Sequence, residues 1–101
     1  MSNYIDRLAC QIWRESEGDG VPDRESMPLY RMYAVLALAK GESTTNRDVH
    51  DAWSAWIAGV RPEHHSLIPF EELKPHVQEL DSLYRDAIHR ATRTFQQDGA
   101  S

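Results

Sequence analysis

The stretch Met27-Pro28-Leu29-Tyr30-Arg31-Met32-Tyr33-Ala34-Val35-Leu36-Ala37-Leu38-Ala39-Lys40-Gly41 decides the fold. Its apolar residues fall on nearly every side of a helix instead of forming one stripe. Pro28 suits a first helical turn, where its missing amide hydrogen is no loss, and Gly41 suits the stop. A helix that is apolar all round is one surrounded by its neighbours. Residues 27–40 are therefore expected to form a buried central helix on which the rest of the chain packs.

Upstream, residues 3–15 place Ile5, Leu8 and Ile12 at helical spacing, flanked by Tyr4 and Trp13, with Ser2 or Asn3 positioned as the N-cap. The connection Glu17-Gly18-Asp19-Gly20-Val21-Pro22-Asp23 has two glycines, a proline and three acids without apolar period, which reads as an exposed acidic loop. Downstream, Val49, Ala52, Trp53, Trp56 and Ile57 follow the i, i+3, i+4, i+7, i+8 pattern of a third helix. Thr45 with Asp48 three residues on forms a variant capping box at its start. Gly59, Pro62 and Pro69 break any regular element, so residues 61–68 are expected to drape over the core as a loop, with a short turn at 69–73. A fourth helix is expected over residues 75–95, burying Val77, Leu80, Tyr84, Ala87, Ile88, Ala91 and Phe95, and residues 97–101 are expected to fray. No run alternates with period two and no hairpin turn separates apolar runs. The expectation is one all-α domain over residues 1–101, a compact irregular four-helix arrangement around the apolar second helix.

The chain has 101 residues, a formal charge of −5, and 41% hydrophobic and 27% charged residues, the profile of a globular domain. The acidic balance argues against nucleic-acid binding, which needs clustered Lys and Arg. No stretch approaches the roughly 18 apolar residues of a membrane span. With a lone Cys10 and no secretory pattern at residues 1–13, a cytoplasmic protein is expected. Nine arginines against two lysines, with frequent alanine, match the coding bias of a GC-rich genome, such as an actinobacterium or one of its phages.

The histidines, the cysteine and the charges are the groups that could carry chemistry. His50, His64, His65, His76 and His89 show neither the i, i+4 nor the tight-loop spacing of a zinc site, so no metal is expected. Cys10 sits beside the apolar stripe of the first helix without an adjacent cation to activate it. No nucleophile elbow or phosphate-binding glycine motif is present; neither catalysis nor a cofactor is expected. Arg85, His89 and Arg93 recur every four residues as a basic stripe on the last helix, and Asp81–Arg85 and Asp86–Arg90 are spaced as stabilising pairs. The aromatic residues are the anomaly. Trp53 and Trp56 on one helix, with Tyr30 and Tyr33 on another, supply large amphipathic rings that are expected to pack in the core, and a ring left partly exposed beside His50 or the loop over residues 61–68 suits stacking on a base or a partner side chain.

Asp48-Val49-His50-Asp51-Ala52-Trp53, then His65-Ser66-Leu67-Ile68-Pro69-Phe70-Glu71-Glu72-Leu73, then Gln78-Glu79-Leu80-Asp81 is similar to the RyR domain, the repeat of ryanodine receptors. The likeness covers about residues 45–92. It implies a compact, non-enzymatic helical interaction module, associated in the receptor with adenine-nucleotide binding. By position it assigns His50, Trp53, His65, Leu67, Pro69, Phe70, Leu73 and Asp81, with Trp53 and Phe70 sealing the loop and Asp81 holding a loop amide. The family's hairpin is shortened here to Gly59-Val60-Arg61-Pro62-Glu63-His64, and Ser66 stands in place of a proline.

Together these readings make a protein partner the leading expectation, as for a phage or prophage factor acting on a host component in the host cytoplasm. The alternative is a sensor or sponge for an adenine-nucleotide-type ligand, with Trp53 or Trp56 stacking the base and Arg61, Arg85 or His65 meeting phosphate. The binding candidates are His50, Trp53, Trp56, Arg61, His65, Arg85, His89 and Arg93. A homodimer burying Trp13 or Trp56 is a further expectation.

Overall fold

The structure is a computed structural model that describes residues 3–100, with side chains to residue 96. The described chain is all-α, with no strand. The helices are α1 (Tyr4–Ser16), α2 (Met27–Ala39), α3 (Asn46–Val60), α4 (Pro75–Leu80) and α5 (Ser82–Ala100), with single 3-10 turns at Gly41–Ser43 and Phe70–Glu72. The expected fraying of residues 97–101 lies outside the described side chains.

Local chemistry sets the ends. Asn3 caps α1 by accepting the Asp6 amide at 2.8 Å. The Thr45–Asp48 capping box at α3 is complete: Thr45 Oγ1 accepts the Asp48 amide at 3.2 Å and Asp48 accepts the Thr45 amide at 2.9 Å. Lys40 adds an ion pair to Asp48 at 2.7 Å. Burial pushes the Asp48 carboxyl up, but the hydrogen bonds from Lys40 and Thr45 outweigh it and leave the group below its ordinary value. Gly41 ends α2 in the left-handed region at φ 56°, and a Cβ there would meet Thr92 Cγ2 at 3.3 Å; glycine serves both conformation and space.

Helix α2 is central, packing against α1, α3 and α5. The core joins Leu8, Ala9 and Ile12 of α1 to Leu29, Tyr30, Tyr33, Ala34 and Ala37 of α2, Val49 of α3, and Ala87, Ile88 and Ala91 of α5. The small alanines let these helices approach closely while Ile12, Ile88 and Tyr33 fill the space between. The all-round apolar reading of α2 goes too far on its outer side, where Val35 and Leu38 are exposed. Three helices do not encircle a fourth at this chain length, and one face of α2 stays open.

The expected fourth helix is divided. At Asp81 the chain closes a tight turn, its amide donating to Gln78 O at 3.3 Å, while its own carbonyl accepts the Arg85 amide at 2.9 Å and starts α5. Ser82 Oγ donates back to Glu79 O at 2.7 Å, a contact that bends helices. The break turns Leu80 outward instead of burying it, and Phe95 is likewise exposed. The spaced pairs are also rearranged. Arg85 pairs with the adjacent Asp86 at 3.0 Å, and Arg90 reaches across to Glu15 on α1 at 2.9 Å, tying α5 to α1.

Candidate functional site

Two spacings converge on one place. On α2, Tyr30 and Tyr33 are three apart and share a face; on α3, His50, Trp53 and Trp56 recur every third residue and share another. Both faces open into a cleft of about 610 Å³ that α1 closes with Trp13 and α5 with Tyr84. All three tryptophans of the chain, and three of its four tyrosines, line this single cavity.

The rings form two connected rows. Trp13 meets Tyr30 edge-on with centroids 5.2 Å apart, Tyr30 meets Tyr33 edge-on at 5.3 Å, and Tyr33 lies 5.9 Å from Tyr84. His50 stacks on Trp53 at 5.6 Å, and His64 meets Trp53 edge-on at 5.0 Å. Polar groups hold both rows in place. The hydroxyls of Tyr30 and Tyr84 both donate to Glu17 Oε1, at 3.2 and 3.0 Å. Burial raises the Tyr30, Tyr33 and Tyr84 hydroxyls above their ordinary value, Tyr84 to about 12, so all three stay neutral donors. Trp13 Nε1 donates to Asp19 O at 3.4 Å and Trp56 Nε1 to Glu25 O at 3.0 Å, pinning the acidic loop beside the cleft.

His50 is a fixed wall. It is buried, and its Nε2 lies 2.7 Å from Ile68 O. A carbonyl only accepts, so Nε2 carries the proton. Ser54 Oγ, 3.3 Å from that same nitrogen, therefore has no base to activate it, and this arrangement makes no nucleophile. The bond instead anchors the loop over residues 61–69, as expected of a loop laid on the core. His64 Nδ1 accepts the Ser66 amide at 3.0 Å, which folds the loop on itself.

Asp81 lies at the bottom of the argument for binding. It lines the cleft, yet its buried Oδ2 has no hydrogen-bond partner. The loop amide that the RyR likeness would give it is not there. Burial pushes its carboxyl up to about 6, with His50 pulling the other way. Glu17 and Asp81 are the two carboxylates of the lining, and no lysine or arginine is among the lining residues.

Of the sequence candidates, His50, Trp53 and Trp56 meet in this cleft. His65 stacks on His64 at 4.8 Å but is exposed outside the lining, and Arg61 is exposed on the loop. Arg85, His89 and Arg93 lie elsewhere. Arg85 pairs with Asp86, Arg93 with Glu42, and His89 Nε2 donates to Thr44 O at 2.8 Å. His89 and Arg93 of the stripe thus tie α5 to the turn after α2, while Arg85 stays within α5. Sequence reasoning did not gather Glu17, Tyr84, His64 and Asp81 into the site; the three-residue spacing of the α2 tyrosines was the available signal for its α2 wall.

Among the described residues no three of His, Cys, Asp and Glu come together as metal ligands, and no helix is long and apolar enough to cross a membrane. No curated protein and no solved structure matches the chain. One family model does, a domain of unknown function (DUF7701) that aligns with residues 3–93. That match overturns the resemblance to the RyR domain, which rested on half the chain. Of the residues that carried the likeness, His50 bonds the loop carbonyl of Ile68 and lies against Trp53 and Phe70, so they fasten the loop to α3. The chain belongs to the DUF7701 family.

Proposed function

We propose that this protein is a non-enzymatic interaction module, acting in the cytoplasm, that receives a protein partner in the aromatic cleft. The observation that carries this reading is the gathering of all three tryptophans and three tyrosines in one open cleft, whose rim holds Leu80 at 66% exposure and Leu83 at 49%. Rings fixed in place are what the anchoring centres of protein interfaces are made of, and the exposed leucines beside them widen the apolar patch they form. An apolar rim left in water is a cost that a partner relieves.

The adenine-nucleotide reading has support for one half only. Trp53 offers a face for a base, but the lining has no cation for phosphate and two carboxylates that repel it. The partner reading is tested by capture from lysate on immobilised protein, comparing wild type with a Leu80→Asp/Leu83→Asp double variant. Both leucines are exposed, so the variant keeps the wild-type helical circular dichroism. A protein retained by the wild type and lost from the variant supports the reading; equal retention by both contradicts it.

A further inference from the structure

The cleft combines three features that select one chemistry. The first is a set of ring faces. Trp13, Trp53, Trp56 and Tyr84 are the partly exposed rings of the lining, and with the Tyr84 hydroxyl committed to Glu17 and the Trp13 and Trp56 indoles to loop carbonyls, what they present to an occupant is the π-face, which carries negative potential and attracts cations. The second is Asp81, a carboxylate of the cleft lining that takes part in no salt bridge and whose Oδ2 is buried without a partner. A carboxylate only accepts, so an occupant that pairs with Asp81 has to bring a donor. The third is charge. Glu17 and Asp81 stand among the lining residues with no lysine or arginine beside them, and the adjoining loop adds Asp19, Asp23 and Glu25 against Arg24 alone.

Resting on the partner reading above, we infer that the cleft receives a cationic side chain, the ammonium or guanidinium of a basic segment on the protein partner, with Asp81 as its counter-ion and the tyrosine and tryptophan faces around it. A neutral apolar side chain fills the same volume but takes the Glu17 and Asp81 carboxylates of the lining further from water without pairing them, which costs free energy instead of returning it. An anionic side chain meets two carboxylates. A free small amine satisfies Asp81 but leaves Leu80 and Leu83 in water, so a chain segment accounts for the rim as well as the floor.

The test uses the full chain labelled with 15N, following the indole N–H signals of Trp13, Trp53 and Trp56. The probes are capped single residues: Nα-acetyl-lysine methylamide, its trimethylated form, Nα-acetyl-arginine methylamide and the neutral Nα-acetyl-norleucine methylamide, with tetramethylammonium chloride beside them. At least one cationic capped residue is expected to shift the indole signals saturably, with a Kd about tenfold below that of norleucine, the scale of a desolvated cation–π contact. Asp81→Asn is expected to remove that preference, and Asp86→Asn, outside the cleft, to keep it. Added salt is expected to weaken the cationic probe and not norleucine, a readout that needs no variant. Norleucine binding as tightly as the cations overturns the inference and leaves the partner reading standing. Tetramethylammonium binding without any capped residue also overturns it, in favour of a free small cation. Silence from every probe overturns it as well, and the Leu80→Asp/Leu83→Asp comparison then decides the partner reading on its own.

Discussion

At Asp81 burial acts on stability as well as on binding. Its carboxyl is raised from 3.8 to about 6, so between those values the folded state keeps a proton that the unfolded state has released. Stability therefore falls as pH rises through this window, and above it the full cost of a buried, unpaired charge remains. The groups facing Asp81 are His50 from α3, Tyr33 from α2 and Tyr84 from α5; of these, His50 opposes the shift and the tyrosines stay neutral throughout. Asp81→Asn is accordingly expected to melt above wild type at pH 7.5 and with it near pH 4, as followed by circular dichroism. A constant offset between the two curves contradicts the burial argument. His50 and Trp53 were readable from sequence because a helical face reveals itself by spacing. Asp81 was not: within an expected helix over residues 75–95 it reads as half of a surface pair with Arg85, or by the RyR likeness as the holder of a loop amide, and only the folded chain leaves it without either partner.

The elements were legible where side chains close their own ends. Thr45 and Asp48 mark the start of α3 before any tertiary contact forms, and the structure completes both hydrogen bonds. Thr45→Ala removes one of them and is expected to cost about 1 kcal/mol, a loss of roughly 4–8 °C in Tm for a domain of this size; an unchanged melt contradicts the role given to the box. The division between α4 and α5 was not legible. Apolar spacing continues across Asp81, and the break comes from the tight Asp81–Gln78 turn and the Ser82 back-bond. The exposed outer face of α2 was missed for a related reason. Composition says that Val35 and Leu38 are apolar, but only the number of neighbouring helices decides whether they are covered.

At the scale of the whole molecule, the cleft belongs to no single element. Trp13, Tyr33, Trp53 and Tyr84 come from α1, α2, α3 and α5, and they meet because the alanines at the helix crossings bring those helices together. Sequence showed an excess of rings without showing that they share a wall, because their convergence depends on crossing angles that no local pattern encodes. The acidic loop completes the site only once Trp13 and Trp56 have tied it down. The cleft so assembled is a seat for a cationic side chain. Nuclear Overhauser contacts from the N-methyl protons of Nα-acetyl-trimethyllysine methylamide to the protein test that most directly. Contacts to the ring protons of Trp53, Trp56 and Tyr84, the partly exposed rings of the lining, are expected, while contacts confined to Val35 and Leu38 on the outer face of α2, or none, contradict a cation seated there.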